Sequence, residues 1–319
     1  TGSGDFAAIQ PAVDAAAPGD TVLIGPGRYT ESFDFQFDVT TSGETFVGIE
    51  KDDLTLMGVH RDSVVIGPLE QNFRDFLPKG IAMRSGQGTR LTIRDLTVRN
   101  VYNGLRLRAE SWVSNVKSDS CGIGIVGFQM TSFVDSVLIE GCTALAMGIA
   151  GPGRFELTAS TIRSNLGGAT FLDDASVEIR DCSFLENTSG LKLQRGTVAL
   201  VQDCSITDNL FVAISVTSAS TVTVLNARMR GGRNGVTLQL DSTFDGSGLI
   251  MGPFDEEIVV ALGGARIDVR DSDLRLGFQP AIRLGGDPPS GPTITHDFRS
   301  NYWTTTDSQA IADAIYDGN

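Results

Sequence analysis

Histidine, lysine and long apolar runs are scarce in this sequence of 319 residues. It has two histidines and four lysines against 21 arginines, and its four cysteines include no CxxC pair. That spacing excludes a zinc ribbon and a thioredoxin-type redox motif, and a disulfide-rich scaffold would need far denser cysteine. No run approaches the roughly 18 apolar residues that a membrane-spanning helix needs.

Net positive charge is also missing, because the formal net charge is −14. Such an acidic chain has no electrostatic footprint for DNA or RNA, so we expect no nucleic acid as a partner. An acidic surface also repels acidic polysaccharides unless a local basic patch or bound cations compensate. Hydrophobic residues make up 41% of the chain and charged residues 20%, which excludes a disordered chain.

A repeat of alternating apolar residues runs through the sequence. The segments RLTIRDLTVRNVYNGLRLR and SVEIRDCSFLENTSGLKLQ share one order: an apolar pair, a polar turn, a second pair, another turn and a third pair. Alternation with a period of two is typical of short strands with one face turned inward. The 37 glycines suit the many turns, since glycine tolerates positive φ best.

The turn before the second strand defines the length of the repeat. It recurs every 22 residues on average, with a missing member expected near Gly248, at Asp95, Asn115, Asp135, Ala159, Asp181, Asp203, Asn226 and Asp271. We interpret these residues as structural turn formers rather than calcium ligands, because Asp and Asn bond to their own backbone in turns. The repeat predicts an all-β fold, a single-stranded right-handed parallel β-helix of about 11 coils stacked about 4.8 Å apart.

The whole chain, 1–319, is expected to form a single β-helix domain with both ends covered, because raw strand edges invite pairing with other chains. The expected parts are a helical cap at 1–20, irregular first coils at 21–90 with an inserted loop at 70–80, regular coils at 91–303, and a helical cap at 304–319. In the second cap, Thr306 and Gln309 have the spacing of a capping box, and Ile311 and Ile315 share an apolar helix face through Tyr316.

The segment FAAIQPAVDAAAPGDTVLIGPGRYTES resembles the N-terminal cap and first coil of bacterial right-handed parallel β-helix proteins of the pectin-lyase-like superfamily. KDDLTLMGVHRDSVVI is similar to their next coils, and NYWTTTDSQAIADAIYDGN to the ending of their uncharacterised repeat members. The resemblance implies this fold for nearly the whole chain and an extracellular or cell-surface location. It implies no single activity, since the superfamily holds lyases, hydrolases, methylesterases and epimerases.

Catalytic signatures of the characterised members are missing from the sequence. There is no NTD and DD arrangement with HG and RIK as in pectin hydrolases, no RxPxxR of pectate lyases and no YGxDPHD-like run of alginate epimerases. His60 and His296 are expected in turns near opposite ends of the solenoid, which gives a Ser/His/Asp triad no support.

Outward residues of the third strand are the candidates for substrate contact, since the resemblance implies that a substrate lies along a strand face. A lyase that acts on uronic acids abstracts the C5 proton with lysine or arginine, so Lys192, with Arg195 in the following turn, is the candidate catalytic group. The candidate substrate-binding residues are Arg106, Thr170, Ser215 and Thr237, and Arg283 occupies the same outward position.

Four carboxylates near Lys192 in the repeat are the candidate Ca²⁺ ligands. Asp173 and Asp174 stand one coil earlier, and Glu156 and Glu178 are outward on the adjoining first strands. A bound Ca²⁺ would neutralise the carboxylate of an acidic substrate. The same residue types are also typical of a solvated surface.

Two functions therefore remain open. The first is a secreted or cell-surface protein that binds a polysaccharide and cleaves it as a Ca²⁺-assisted lyase, and it rests on the group around Lys192. The second is a non-catalytic adhesin, structural stalk or glycan-display module, and it rests on the missing catalytic signatures. A polysaccharide or glycan surface is the expected partner in both, and the sequence does not predict the oligomeric state.

The cysteines are expected in pairs on neighbouring coils. Cys182 and Cys204 occupy the same inward position in consecutive repeats, and we expect the same of Cys121 and Cys142. Buried thiols that pack as small hydrophobic groups are favoured, while the stacking distance also lies within the Cα range of a disulfide.

Overall fold

The structure is a computed structural model, and it describes residues 5–71, 78–84, 90–275, 281–285, 296–305 and 307–317. The chain divides into two compact units, Thr1–Leu166 (unit 1) and Gly167–Asn319 (unit 2). The expectation of a single domain stays a prediction. Most of the expected loop at 70–80 lies outside the described residues, as do Thr306 and Gly318.

Unit 1 consists of one short helix and eighteen short strands among its described residues. In chain order they are α1 (Ile9–Ala15), β1 (Thr21–Ile24), β2 (Gly27–Tyr29), β3 (Phe33–Gln36), β4 (Ser42–Ile49), β5 (Leu54–Gly58), β6 (Val64–Ile66), β7 (Lys79–Met83), β8 (Leu91–Arg94), β9 (Thr97–Arg99), β10 (Asn103–Leu107), β11 (Ser111–Ser114), β12 (Lys117–Asp119), β13 (Ile123–Phe128), β14 (Ser132–Asp135), β15 (Leu138–Glu140), β16 (Leu145–Ala150), β17 (Gly153–Thr158) and β18 (Thr161–Arg163).

The strands of unit 1 form three sheets, one for each strand of the repeat. The first sheet has the order β1-β5-β8-β11-β14-β17, the second β2-β6-β9-β12-β15-β18 and the third β3-β4-β7-β10-β13-β16. Consecutive coils pair in parallel, as in β11 with β14, where Val113 lies opposite Val134. The pair β3 and β4 is antiparallel and forms a hairpin.

Unit 2 repeats the same plan. Its described elements are β19 (Ala169–Leu172), β20 (Ala175–Arg180), β21 (Ser183–Leu185), β22 (Ser189–Gln194), β23 (Val198–Gln202), β24 (Ser205–Thr207), β25 (Val212–Thr217), β26 (Thr221–Leu225), β27 (Arg228–Arg230), β28 (Asn234–Gln239), β29 (Thr243–Ser247), β30 (Ile250–Met251), β31 (Val259–Leu262), β32 (Arg266–Arg270), β33 (Asp273–Leu274), β34 (Ile282–Gly285), β35 (Tyr302–Trp303), α2 (Ser308–Asp313) and β36 (Ile315–Asp317).

The sheets of unit 2 are again three. The first has the order β20-β23-β26-β29-β32, the second β21-β24-β27-β30-β33-β35 and the third β19-β22-β25-β28-β31-β34-β36. Alternating residues turn inward, so that Val177 and Ile179 of β20 and Leu191 and Leu193 of β22 are buried around the fully buried Phe184. Burying these apolar side chains stabilises each coil by about 25 cal/mol for each Å² removed from water.

The fold is an all-β parallel solenoid of about nine turns with two short helices, which confirms the predicted fold class. The number of turns is slightly smaller than the eleven coils expected from the repeat. At the N-terminal end β3 and β4 pair as a hairpin, and at the C-terminal end β33 and β35 have two residues each. The hairpin lies outside the regular coils expected at 91–303, whereas the two short strands lie within them.

The turns before the second strand are left-handed. The turn residues named above have φ between +47° and +62° with one exception, and Gly248 fills the missing position with φ +66°. The exception is Asp135, which ends β14, while Ser136 takes the turn with φ +54°. The prediction was one residue out because both residues are good turn formers. The side chain of Asp135 instead accepts a hydrogen bond from the Thr158 hydroxyl at 2.7 Å.

The first helix covers the edge of the first coil. It buries Ile9 and Val13 and contacts β1 and β4. The Gln10 amide replaces a missing strand neighbour of β4, since its Nε2 donates to the Gly48 carbonyl at 3.1 Å and its Oε1 accepts from the Gly48 N–H at 2.9 Å. Lys51 donates to the carbonyls of Asp14 and Ala16 at the end of the helix.

The second helix is shorter than expected. Asp307 is its N-cap and accepts hydrogen bonds from the backbone N–H groups of Gln309 and Ala310. The helix ends at Asp313, and Ile315 lies opposite Ile282 in the parallel pair of β36 with β34. The expected helix through Tyr316 is therefore wrong at its end, because pairing with β34 satisfies backbone groups that an isolated last turn would leave exposed. Neither helix, within the described part of the chain, is long and apolar enough to cross a membrane.

Buried asparagines connect consecutive turns after the second strand. In unit 2, the Asn209 Oδ1 accepts hydrogen bonds from both the backbone N–H and the Nδ2 of Asn187 at 3.1 Å, and the Asn209 Nδ2 donates to the Phe184 carbonyl at 3.0 Å. Both asparagines are at most 2% exposed. These bonds pair buried backbone groups where the strand ladder is interrupted.

Replacing Asn209 with alanine should therefore destabilise the protein by about 2–3 kcal/mol, because buried donors and acceptors on Asn187 and Phe184 lose their partners. Urea unfolding followed by circular dichroism measures this change. The half-exposed Gln202 offers a control, for which we expect a change below about 0.5 kcal/mol on substitution by alanine. Equal effects of the two substitutions would contradict the stabilising role of the buried asparagine hydrogen bonds.

Ala159 offers a substitution that should stabilise the protein. It holds φ +47° with a side chain that disfavours this conformation. Ala159→Asn should raise the stability by about 0.5–1 kcal/mol, because asparagine tolerates left-handed backbone. Thermal melting measures the gain, and Ala17→Asn is a control at an exposed position outside the left-handed region. A lower melting temperature for Ala159→Asn than for the unchanged protein would refute this account of the turn.

Candidate functional site

The predicted substrate face around Lys192 forms one column in unit 2. The parallel register places Thr170 opposite Lys192, Lys192 opposite Ser215, and Ser215 opposite Thr237. Lys192 is exposed and the three hydroxyl residues are partly exposed. The column exists because each side chain follows an inward residue by one position in its strand and so points outward.

A second column of uncharged polar residues runs beside the first. It consists of Gln194, Thr217 and Gln239, which lie opposite one another on β22, β25 and β28. Hydroxyl and amide groups thus repeat along this face at the strand spacing of about 4.8 Å. Such groups both donate and accept hydrogen bonds, which is what sugar hydroxyls require.

Arg195, the second predicted catalytic residue, is held by a carboxylate. Its Nε lies 2.7 Å from Asp173 Oδ1, and its Nη2 donates to Asp173 Oδ2 at 3.1 Å. Arg195, Asp173 and Asp174 all have positive φ, between +53° and +62°, so they form the left-handed turns of successive coils. This bidentate pair holds the guanidinium of Arg195 on the Asp173 carboxylate and connects the two turns.

Three of the four predicted calcium ligands, Asp173, Glu178 and Glu156, are also held in ion pairs. Glu178 forms an ion pair with Arg180, and in unit 1 Glu156 forms one with Arg154. Over the described residues, no group of three or more His, Cys, Asp and Glu side chains is arranged to hold a metal ion. Ca²⁺ binding stays a prediction, and Asp173, Glu156 and Glu178 would each have to exchange an arginine for the ion.

Unit 1 carries a group of three cations on the outer face of its third sheet: Lys79, Arg106 and Arg108, here called the cationic cluster. Lys79 begins β7, Arg106 is in β10, and Arg108 follows β10 directly. The Phe37 ring lies against two of them, with its centroid 5.0 Å from Lys79 Nζ and 4.7 Å from Arg106 Cζ. The Phe128 ring lies 4.4 Å from Arg108 Cζ in the same way.

Small residues on the outer face make room for these rings. A Cβ atom on Gly48 would come within 2.3 Å of the Phe35 ring, so only glycine lets the β3–β4 hairpin lie this close. Phe37 is 1% exposed and packs with Phe35 and Ala82. Ala82 lies opposite Arg106 in the register of β7 and β10. The hairpin is thereby fixed on the outer face and brings Phe37 to the cations.

Burial lowers the pKa values of all three cations, and repulsion from a neighbouring arginine lowers two of them further. Burial, followed by repulsion from Arg108, lowers the pKa of Arg106 to about 10. Burial also lowers the pKa of Lys79, together with repulsion from Arg106, and lowers the pKa of Arg108. Lowered pKa values mean that the folded protein disfavours the charged forms, which an incoming anion would stabilise.

Arg106 and Arg108 have little negative charge close to their guanidinium groups among the described residues. Within the described chain, neither Arg106 nor Arg108 forms an ion pair, and the buried Arg108 Nε has no hydrogen-bond partner. Asp38 partly opposes the shifts of both arginines. Its carboxylate, however, already accepts hydrogen bonds from the backbone N–H groups of Thr40 at 2.9 Å and Thr41 at 2.8 Å. Bonds from these threonines lower the Asp38 pKa to about 2.

Several other cations of unit 1 form ion pairs with carboxylates. On the second sheet, Arg99 lies 3.1 Å from Asp119, Lys117 lies 2.7 Å from Glu140, and Arg163 lies 2.7 Å from the same glutamate. Arg99, Asp119, Glu140 and Arg163 stand opposite one another on β9, β12, β15 and β18, and Lys117 lies two residues before Asp119 on β12. These ion pairs connect charged side chains of successive coils on the second sheet.

Sequence reasoning identified one member of the cluster. Arg106 was a predicted substrate-binding residue, whereas Lys79 and Arg108 were missed. The signal for Arg108 was present, because Arg106 and Arg108 alternate around an inward Leu107. Alternating Phe33, Phe35 and Phe37 gave no such signal, since period-two alternation alone does not tell an inner strand from a hairpin on the outer face.

The remaining reactive side chains have structural roles. All four cysteines are buried thiols without a disulfide bond, as the first of the two alternatives expected. His60 Nδ1 accepts a hydrogen bond from the Asp62 N–H at 3.2 Å, and His296 Nδ1 accepts one from the Ile267 N–H at 3.3 Å. Both imidazoles thus bond to nearby backbone.

Solved structures similar to this chain share its fold. The A-modules of the mannuronan C-5 epimerases AlgE6 and AlgE4 from Azotobacter vinelandii superpose with TM-scores of 0.55 and 0.57 at 16% and 15% identity. The matches cover 98% and 94% of this chain and 94% and 93% of those chains. The catalytic unit of a GH87 alpha-1,3-glucanase from Streptomyces thermodiastaticus strain HF3-3 has a TM-score of 0.56 at 14% identity, over 93% of this chain and 66% of that one. At such identities the likeness shows the fold alone.

Sequence comparison shows the family. No curated protein matches the sequence. Residues 79–247, more than half of the chain, match the family described as right handed beta helix region. The parallel strands and three sheets of both units agree with that description. This chain therefore belongs to the right-handed β-helix family.

Proposed function

We propose that this protein binds a polysaccharide on the outer face of the third sheet in unit 2, around Lys192. The observation that carries the proposal is the column of Thr170, Lys192, Ser215 and Thr237, with its neighbouring column of uncharged polar residues. The similar structures include proteins named for mannuronan and for alpha-1,3-glucan, which supports a polysaccharide as the class of ligand.

The face suits an extended polymer rather than a small molecule. Its side chains repeat at the spacing of the coils, so a chain of sugars meets similar groups again and again. Each hydrogen bond contributes only about 0.5–1.5 kcal/mol, and several in a row are needed for useful affinity. A solenoid provides this repetition without a deep pocket.

We further propose that the protein cleaves the bound polysaccharide as a lyase. A lyase step removes the C5 proton of a uronic acid, and the electron pair of the C5–H bond forms a C4–C5 double bond. The bond from C4 to the leaving sugar oxygen breaks, and a proton from water goes to that oxygen. Lys192 is the residue proposed to take that proton, because it is exposed on the column and, among the residues described, no ion pair holds it. Ca²⁺ at Asp173, Asp174 and Glu178 of unit 2 would neutralise the charge of the substrate carboxylate, and Glu156 of unit 1 stays a separately predicted ligand.

A non-catalytic function is the second candidate. It is favoured by the ion pairs of Arg195 with Asp173 and of Glu178 with Arg180, which leave few free groups for acid–base chemistry beside Lys192. In that case the same face displays or binds glycans as part of an adhesin or stalk. Under both candidates we propose an extracellular or cell-surface location, which the family resemblance implies.

Lys192→Ala tests the site. Affinity for polygalacturonate in calorimetric titration should fall by about fivefold or more, because the central cation of the column is lost. Arg230→Ala removes an equal charge from an exposed position on β27 and should leave the affinity within about twofold. Unchanged binding by Lys192→Ala would contradict the proposed site.

The same variant separates the two candidates. If the protein is a lyase, the unsaturated product absorbs near 235 nm, and Lys192→Ala should abolish that signal while Arg230→Ala keeps it. Absence of the signal with the unchanged protein and Ca²⁺, across uronate polymers, would remove the lyase and leave the non-catalytic function.

A further inference from the structure

We propose that Cys182 and Cys204 of unit 2 form a site of oxidative modification, at which a peroxide converts the two thiols to a disulfide bond between successive coils. The proposal goes beyond polysaccharide binding and does not depend on it. It concerns one cysteine pair only, because Cys121 and Cys142 of unit 1 should stay reduced under the same conditions.

The two cysteines occupy equivalent positions in consecutive coils. Ser183 lies opposite Ser205 in the parallel pair of β21 with β24, and the pair of β20 with β23 keeps the same register, so Cys182 lies opposite Cys204. The Ser205 N–H donates to the Cys182 carbonyl at 2.9 Å and joins the two coils at this point. Neighbouring strands are about 4.8 Å apart, which lies within the Cα range of about 4.4–6.8 Å that a disulfide allows.

The side chains of the two cysteines have the same orientation. The Cys182 Sγ lies 3.0 Å from the Arg180 carbonyl oxygen, and the Cys204 Sγ lies 3.1 Å from the Gln202 carbonyl oxygen. Each sulfur thus lies beside the carbonyl two residues before it, and the two sulfurs are stacked. Because the backbones already have a suitable spacing, formation of the bond needs a change of side-chain torsion rather than a shift of the strands.

A hydrogen bond between the two side chains favours the reactive form of Cys204. The bond from Cys182 lowers the pKa of the Cys204 thiol, whereas burial acts in the opposite direction. The thiolate, rather than the thiol, is the nucleophile that attacks an oxidant. Cys204 is therefore assigned to the attack on the peroxide, and Cys182 to the second step, in which the disulfide forms.

The pair lies close to the surface although both side chains are buried. Asp181 and Asp203, the left-handed turn residues directly before the two cysteines, are exposed. Hydrogen peroxide is a small molecule, so a local opening of these turns is enough to admit it.

One molecule of peroxide is consumed for each disulfide. The Cys204 thiolate attacks one oxygen of hydrogen peroxide, an S–O bond forms, the O–O bond breaks, and the leaving hydroxide takes up the proton that Cys204 gave up. The Cys182 sulfur then attacks the sulfur of the sulfenic acid, so that an S–S bond forms and the S–O bond breaks. The hydroxide released here takes the proton of the Cys182 thiol. The two sulfurs have together lost the two electrons that the peroxide gained, and two molecules of water are formed.

The cysteines of unit 1 provide a matched comparison. Cys121 and Cys142 also lie on consecutive coils, since the Thr143 N–H donates to the Cys121 carbonyl at 2.8 Å. Burial raises the pKa of Cys121 to about 11, and burial followed by repulsion from Cys121 raises the pKa of Cys142. Their thiolates are scarce at neutral pH, so stacking on consecutive coils does not by itself make a pair reactive.

Peptide mapping after oxidation tests the pair. The unchanged protein is incubated with hydrogen peroxide near neutral pH, unfolded in the presence of an alkylating reagent and digested with trypsin. Cleavage after Arg195 separates Cys182 from Cys204, so a disulfide between them appears as two linked peptides. Cys121 and Cys142 fall on one peptide, in which alkylation of both thiols shows that they stayed reduced.

We expect the linked peptides to form at least about tenfold faster than a bond between Cys121 and Cys142. Three results would each overturn the proposal: four thiols that all stay reduced, a bond in unit 1 that forms as fast, or a sulfinic acid at Cys204 without a link to Cys182.

Substitutions assign the two steps. Cys182→Ser keeps a hydrogen-bond donor but forms no disulfide, so peroxide should leave Cys204 as a sulfenic acid that dimedone traps. Cys182→Ala also loses the donor, and trapping at Cys204 should be at least about threefold slower than in Cys182→Ser. Cys142→Ala is the matched control and should form the linked peptides at an unchanged rate. Trapping at Cys182 in Cys204→Ser, with none at Cys204 in Cys182→Ser, would contradict the assigned order of the steps.

Melting temperature measures the effect of the bond on the fold. A disulfide between Cys182 and Cys204 closes a loop of one repeat and thereby restricts the unfolded chain. Oxidation should raise the melting temperature of the unchanged protein and of Cys142→Ala by about 5 °C or more, and dithiothreitol should reverse the rise. Cys182→Ser should show no such rise. A melting temperature that stays the same or falls while the linked peptides form would overturn the inferred fit of the bond to the native coils.

Discussion

Parallel backbone pairing between successive coils is the constraint on which the rest of the structure depends, and it holds only if each coil returns its strands to the same register. The left-handed turn residues, from Asp95 to Asp271 with Gly248 among them, provide that return. Once the register is fixed, side chains at equivalent positions fall into columns. Inward columns become the core, and outward columns such as that of Lys192 become continuous surfaces.

The repeat therefore allowed much of the fold and part of the site to be predicted. Period-two alternation determines which residues turn outward, so the register of Thr170, Lys192, Ser215 and Thr237 followed from sequence. The one-residue error at Asp135 arose because two adjacent residues, Asp135 and Ser136, are equally good turn formers, so local preferences do not choose between them. The end of α2 was wrong because tertiary pairing of β36 with β34 overrode a helical apolar pattern.

The cationic cluster shows what a repeat does not reveal. Its members come from β7 and β10, and its rings from a hairpin and from β13, so the group is assembled by pairing between coils. Glycine at position 48 makes the close approach possible, a condition visible only when the Phe35 ring is in place. Three of the four carboxylates predicted as calcium ligands, Glu156, Glu178 and Asp173, form ion pairs with arginines in the structure, and calcium binding stays a prediction.

The central claim is that a polysaccharide engages this β-helix on the outer face of unit 2, around Lys192. A crystal structure of the protein soaked with a short oligogalacturonate tests it most directly. The account predicts a sugar chain along the column, with a carboxylate near the Lys192 ammonium and sugar hydroxyls near Ser215 and Thr237. An oligosaccharide bound on another face, with no density at Lys192, would contradict it.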